Sequence, residues 1–70
     1  MSYRIEYLRE TTEAETVCHT LLSHGADLDE VEEEAFARSE VPRVLCGATG
    51  FQIRQLDTLD EVVAIVEFDA

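Results

Sequence analysis

The sequence predicts an α+β domain: a mostly antiparallel, four-stranded sheet with one or two helices on one face, in the order β-α-α-β-β-β. Three observations lead there. The stretch Val62 to Val66 is five consecutive apolar residues, four of them β-branched, which suits a pleated strand better than a helix. Tyr3 to Arg9 alternates, with Tyr3, Ile5 and Tyr7 on one side and Arg4, Glu6 and Leu8 on the other. Between these strands lie two segments with helix-start signals and apolar residues at helical spacing.

In chain order, the first strand runs from Tyr3 to Arg9, with one core face and one mostly polar face. Thr12-Glu-Ala-Glu15 then has the spacing of a capping box, and Ala14, Val17, Cys18, Leu21 and Leu22 follow as a single helical stripe. Gly25 suits the position just past that helix, and His24 its last turn. Asp27-Leu-Asp-Glu30 repeats the start signal. Leu28, Val31, Ala35 and Phe36 carry a second helix to about Arg38, ended by Pro42 and its effect on Val41. The alternative for Ala35 to Arg38 is a short edge strand. Pro42 to Cys46 reads as a short strand, Gly47-Ala-Thr-Gly50 as a hairpin turn, and Phe51 to Leu56 as the second arm. Asp57-Thr-Leu-Asp60 turns the chain into the last strand. Thr58 and Glu61 also fit a capping box, but the β-branched density that follows favours a strand.

That last strand is apolar on both sides. Val62, Ala64, Val66 and Phe68 face one way, Val63 and Ile65 the other, which suggests a central position in the sheet. Seventy residues make one small domain, 1–70, with few elements available to cover two faces. The second face should gather Arg4, Glu6, Gln52, Arg54, Val63, Ile65 and Glu67 beside Leu8 and Leu56. An apolar centre rimmed by polar groups is what a twofold partner complements, so the expectation is a homodimer through the sheet. The plainer reading of that face is cross-strand ion pairing on a solvated surface. A third use is to hold an acidic small molecule between Arg4 and Arg54.

Charge is the other unusual feature. Sixteen Asp and Glu stand against five basic residues, all arginine, for a net charge of −11. Such a chain repels itself in dilute buffer, whereas at molar salt the Debye length falls to about 3 Å and the repulsion is screened. In this lysine-free, acid-rich composition the chain resembles proteins of salt-loving archaea. The resemblance implies a cytoplasm that is itself molar in salt, and carries no active-site motif. Acidity disfavours nucleic acid as a partner, because phosphate binding uses a basic footprint. No apolar run approaches the roughly 20 residues of a membrane span, and Met1 to Glu6 is no signal peptide. The expected location is the cytoplasm.

No residue set commits the chain to catalysis, a cofactor or a metal. His19 and His24 lie about 140° apart around a regular helix and cannot face one ion. Cys18 and Cys46 read as core thiols, and a disulfide between them is conceivable but disfavoured in a reducing cytoplasm. Cys18 and His19, as neighbours on a helix, point about 100° apart and make a poor dyad. The acids Asp27, Asp29, Glu30, Glu32, Glu33 and Glu34 lack the glycine and alternating ligands of a calcium loop, and read as a solvated helix face. Gly47 to Gly50 lacks the Lys-Ser/Thr ending of a phosphate loop. The sequence points to a non-catalytic interaction or regulatory module.

Overall fold

In a computed structural model that describes residues 2–10, 15–57 and 59–68, the chain is α+β. Among these residues it forms β1 (Tyr3–Glu10), β2 (Glu15–Ser23), α1 (Leu28–Ala37), α2 (Glu40–Cys46), β3 (Gly50–Gln55) and β4 (Glu61–Glu67). The strands make one antiparallel sheet in the order β2-β1-β3-β4. Both helices pack on a single face. The expected class is therefore present, with two segments exchanged: the order is β-β-α-α-β-β.

The first exchange is at 15–23, where the helical stripe is a strand. Thr12 and Ala14, which open that stripe, lie outside the described residues. Thr16, Val17 and Thr20 are β-branched, and pairing with β1 along its whole length outweighs the helical spacing. The adjacent apolar pairs Val17–Cys18 and Leu21–Leu22 put one member on each side of the sheet. Gly25 is not a helix cap. A Cβ there would meet Val31 Cγ2 at 2.8 Å, so glycine lets the chain leaving β2 pass close under α1.

The second exchange is at Pro42 to Cys46, where the expected strand is instead part of the helix Glu40–Cys46. Pro42 stands in its first turn, where a backbone N–H has no intrahelical partner to lose. Gly47 ends the helix in the left-handed region at φ 70°, and Pro42 O accepts from the Ala48 N–H at 3.2 Å. Gly47 to Gly50 is thus a helix exit into β3, not a hairpin turn. Gly50 is required by proximity, since a Cβ would lie 2.4 Å from Val66 O.

The second predicted helix is α1. Asp27 caps it by accepting from the Glu30 N–H at 2.9 Å, and Glu30 returns to the Ala26 N–H at 3.2 Å. The helix stops at Arg38, four residues before Pro42, so the proline does not itself end it. Val31 and Ala35 are fully buried against Tyr3, Ile5, Tyr7, Phe51 and Ile53. The Tyr7 hydroxyl donates to Ala35 O at 2.6 Å, tying α1 to the middle of the sheet. Phe36, Phe51 and Phe68 meet ring on ring with centroids 5.2–6.2 Å apart, and Arg43 of α2 lies 5.1 Å above Phe68.

The strand at 61–67 forms as expected but at an edge of the sheet, pairing with β3 on one side only. Each edge strand carries one extra residue. The register shifts between Tyr7 and Leu8 on the β2 side and between Ile53 and Arg54 on the β4 side. The bulges turn Cys18 and Val63 toward the helix-covered core. Bulged edges with an acid at one end of β2 (Glu15) and at both ends of β4 (Glu61 and Glu67) resist pairing with a further strand.

Candidate functional site

The face of the sheet opposite the helices has no covering element among the described residues. Three rows cross it. Leu22, Arg4, Arg54 and Val62 form the first; Thr20, Glu6, Gln52 and Ile65 the second; Val17, Leu8, Gly50 and Glu67 the third. Alternation in β1 and β3 places Arg4, Glu6, Gln52 and Arg54 side by side, because both strands put their other face into the core.

Glu6 is the centre. It is buried, and among the described residues three donors converge on its carboxylate. Gln52 Nε2 and Arg54 Nε reach Oε1 at 2.6 and 2.8 Å, and Arg4 Nε reaches Oε2 at 3.0 Å. Burial alone pushes the Glu6 carboxyl up. Hydrogen bonds from Gln52 and Arg54, with the charges of Arg54 and Arg4, outweigh it and hold the group below its ordinary 4.5. Asp60, in the turn before β4, closes the network: its carboxylate pairs with Arg4 Nη2 at 3.4 Å, and its carbonyl accepts from Arg54 Nη1 at 2.7 Å. Two cations are thus matched by two carboxylates and a carbonyl. An incoming anion has to displace Glu6 or Asp60, so the geometry gives little support to an acidic small molecule held by Arg4 and Arg54.

Apolar side chains flank this neutral centre on opposite edges. Leu22 and Val17 stand on β2, and Ile65 on β4; Leu22 and Ile65 are 64% and 66% exposed, too large a fraction for core residues. Of the residues expected on this face, Arg4, Glu6, Gln52, Arg54, Ile65 and Glu67 are on it. Val63 is not, because the bulge folds it partly into the core. Leu22 and Val17 were hidden by the helical reading of 15–23. Asp60 gave no signal beyond its place in a turn.

The remaining chemistry-bearing residues have other partners. Asp27 and Glu30 cap α1, and Glu34 accepts from Ser23 Oγ and pairs with Arg38 at 3.5 Å. His19 sits beside the Tyr7 ring at 6.0 Å. Among the described residues no three His, Cys, Asp or Glu side chains gather as metal ligands, and no helix is long and apolar enough to cross a membrane. Cys18 and Cys46 are free thiols brought together, Cys46 Sγ lying 3.2 Å from Cys18 O. A second apolar ridge, Val41, Val44 and Leu45, faces outward from α2.

Fold and site together define a small α+β domain of two helices on a four-stranded antiparallel sheet, whose open face is an ion-paired centre between apolar edges. No family model, curated protein or solved structure matches the chain.

Proposed function

We propose that the chain is a non-catalytic, salt-adapted cytoplasmic interaction module that pairs with a second copy through the open face of its sheet. The observation that carries this reading is the exposure of Leu22 and Ile65 on either side of a charge-neutral, fully bonded centre. A twofold axis parallel to the strands, between β1 and β3, sets the β2 edge of one copy over the β4 edge of the other. Leu22 then meets Val62, and Ile65 meets Thr20. Arg4 and Arg54 of each copy face one another with their charges already matched within the subunit, so no unpaired ion is buried. The contact is self-complementary, as a closed pair requires.

The energetics favour a modest affinity. Removing two-thirds of an Ile or Leu from water contributes about 1–2 kcal/mol, and four such side chains come together per pair. Lost translational and rotational freedom offsets much of that. At low salt the like charge of the two copies adds a further penalty, which molar salt screens.

Light scattering on the reduced chain at molar salt tests the reading. A mass rising toward two chains with concentration is expected, and Ile65→Glu and Leu22→Glu should return it to one chain while circular dichroism stays unchanged. A single-chain mass at every concentration in molar salt rules the pairing out.

A further inference from the structure

We propose that Cys18 and Cys46 are a reversible dithiol–disulfide pair that locks α2 onto the edge strand β2, with a low-molecular-weight disulfide as oxidant. The two thiols come from elements with no local reason to meet, 28 residues apart in the chain. The bulge in β2 is what turns Cys18 inward, and Cys46 is the last residue of α2, held there by the left-handed turn at Gly47. Cys46 Sγ donates to Cys18 O at 3.2 Å, which sets the Cys46 thiol against the backbone of the residue it would join. Neither is sealed in the core: both are half-buried and open to a small reagent. Burial, then the Cys46 thiol, raise Cys18 above the ordinary thiol value, while the charge of Arg9 acts the other way. Arg9 also lies alongside Gly47, so a cation stands next to the pair.

The exchange balances without other reagents. One protein thiolate attacks the external disulfide, forming a mixed disulfide and expelling one small thiolate. The second protein thiol, losing its proton to solvent, attacks the protein sulfur of that mixed disulfide and expels the other. Two protein thiols are oxidised, and one small disulfide is reduced to two thiols.

What the bond controls is α2. Seven residues are too few for a helix to hold itself, so its position depends on tethers to the sheet. Pro42 and Cys46, one turn apart, face inward, and the opposite side carries the ridge Val41, Val44 and Leu45. A Cys18–Cys46 bond fixes α2, and with it the outward ridge, relative to β2; its reduction leaves the ridge on a helix free to shift.

The experiment treats the reduced full-length chain at molar salt with oxidised glutathione, then reads intact mass, peptide map and melting temperature without reductant. Expected is a single-chain species lighter by two hydrogen atoms, with the peptides of Cys18 and Cys46 joined. It should melt higher by roughly 10 °C, reversibly with dithiothreitol, because the bond closes a loop of intermediate length. In Cys46→Ala the glutathione should instead remain on Cys18. Stable glutathione adducts on the unaltered chain, bridges only between chains, or an internal bond that leaves the melting temperature unchanged or lower would each overturn the proposal. The readout does not depend on pairing through the open face, so the two readings fail separately.

Discussion

Glu6 is an acid buried in the middle of a sheet, where a carboxylate is rare unless it is paired. Its carboxylate is tolerated because three donors meet it, and each of those donors is in turn oriented by it. Glu6→Gln keeps the shape but turns an amide's own N–H groups toward two guanidinium groups. The expected loss is about 1–3 kcal/mol in urea unfolding, below the full cost of breaking a buried pair, because both arginines keep contact with water. The sign with pH follows from the lowered carboxyl. Its contribution is fully present above the ordinary value of 4.5 and is lost as pH falls through the depressed value of the folded state. The gap between the parent and Glu6→Gln should therefore hold from neutrality down to about pH 4.5 and narrow below it. A gap independent of pH would mean that the carboxylate's charge is not what the arginines need. Arg4, Glu6, Gln52 and Arg54 were legible from alternation alone, since a period of two assigns faces without knowledge of neighbours. Asp60 was not, because a turn's aim depends on dihedral angles that no periodicity encodes.

Leu59 and Asp60 show what that turn demands: both have positive φ, 55° and 56°. Aspartate accepts this region, whereas leucine is disfavoured there, and the Leu59 side chain is wholly exposed and so gains no burial in return. Leu59→Gly or Leu59→Asn should stabilise the domain by roughly 0.5–1 kcal/mol in chemical unfolding, with no change in fold. At the other side of the molecule, Tyr7 joins the central strand β1 to α1. Tyr7→Phe should cost about 1 kcal/mol, since Ala35 O loses a donor inside the core. Burial, with the charge of Glu34 adding to it, pushes the Tyr7 hydroxyl up to about 12 from 10.0. The raised value means that this stabilisation is complete below pH 10 and disappears as pH climbs toward 12. The gap in urea unfolding between the parent and Tyr7→Phe should therefore hold up to about pH 10 and narrow as pH climbs toward 12. The misread elements have a common cause. Residues 17–22 carry a pattern compatible with either period, and only pairing with β1 chooses the strand. Residues 42–46 are mostly apolar and begin with proline, which argues against a helix interior but not against its first turn. α1 and β4 were legible because the Asp27 cap and the β-branched run each act locally. The edge position of β4 was not, because a bulge folds Val63 inward while Ile65 stays exposed, so an apolar run on both faces did not require a strand on each side.

For the molecule entire, the decisive quantity is a net charge of −11 on 70 residues. The ion pairs described above are internal to the sheet or local to a helix, and they leave most of the acids without a cationic partner in the sequence: sixteen acids face five arginines. Self-repulsion therefore acts over distances comparable to the domain, whose Cα radius of gyration is 11.5 Å. At about 0.1 M salt the Debye length of about 10 Å leaves much of that repulsion intact; at about 1 M it is about 3 Å and only adjacent charges interact. Two consequences separate folding from association. The melting temperature of a dilute sample should rise steeply from tens of millimolar to molar potassium chloride, because the unfolded chain relieves the repulsion that the compact one cannot. Any further rise with protein concentration must come from pairing, since only an associating native state is stabilised by mass action. Melting curves over a hundredfold range of concentration should therefore superimpose at low salt and spread apart at molar salt, and Ile65→Glu should abolish the spread while keeping the salt dependence. Curves that superimpose in molar salt as well would assign the whole salt effect to the single subunit, and leave Leu22 and Ile65 exposed for some occupant other than a second copy.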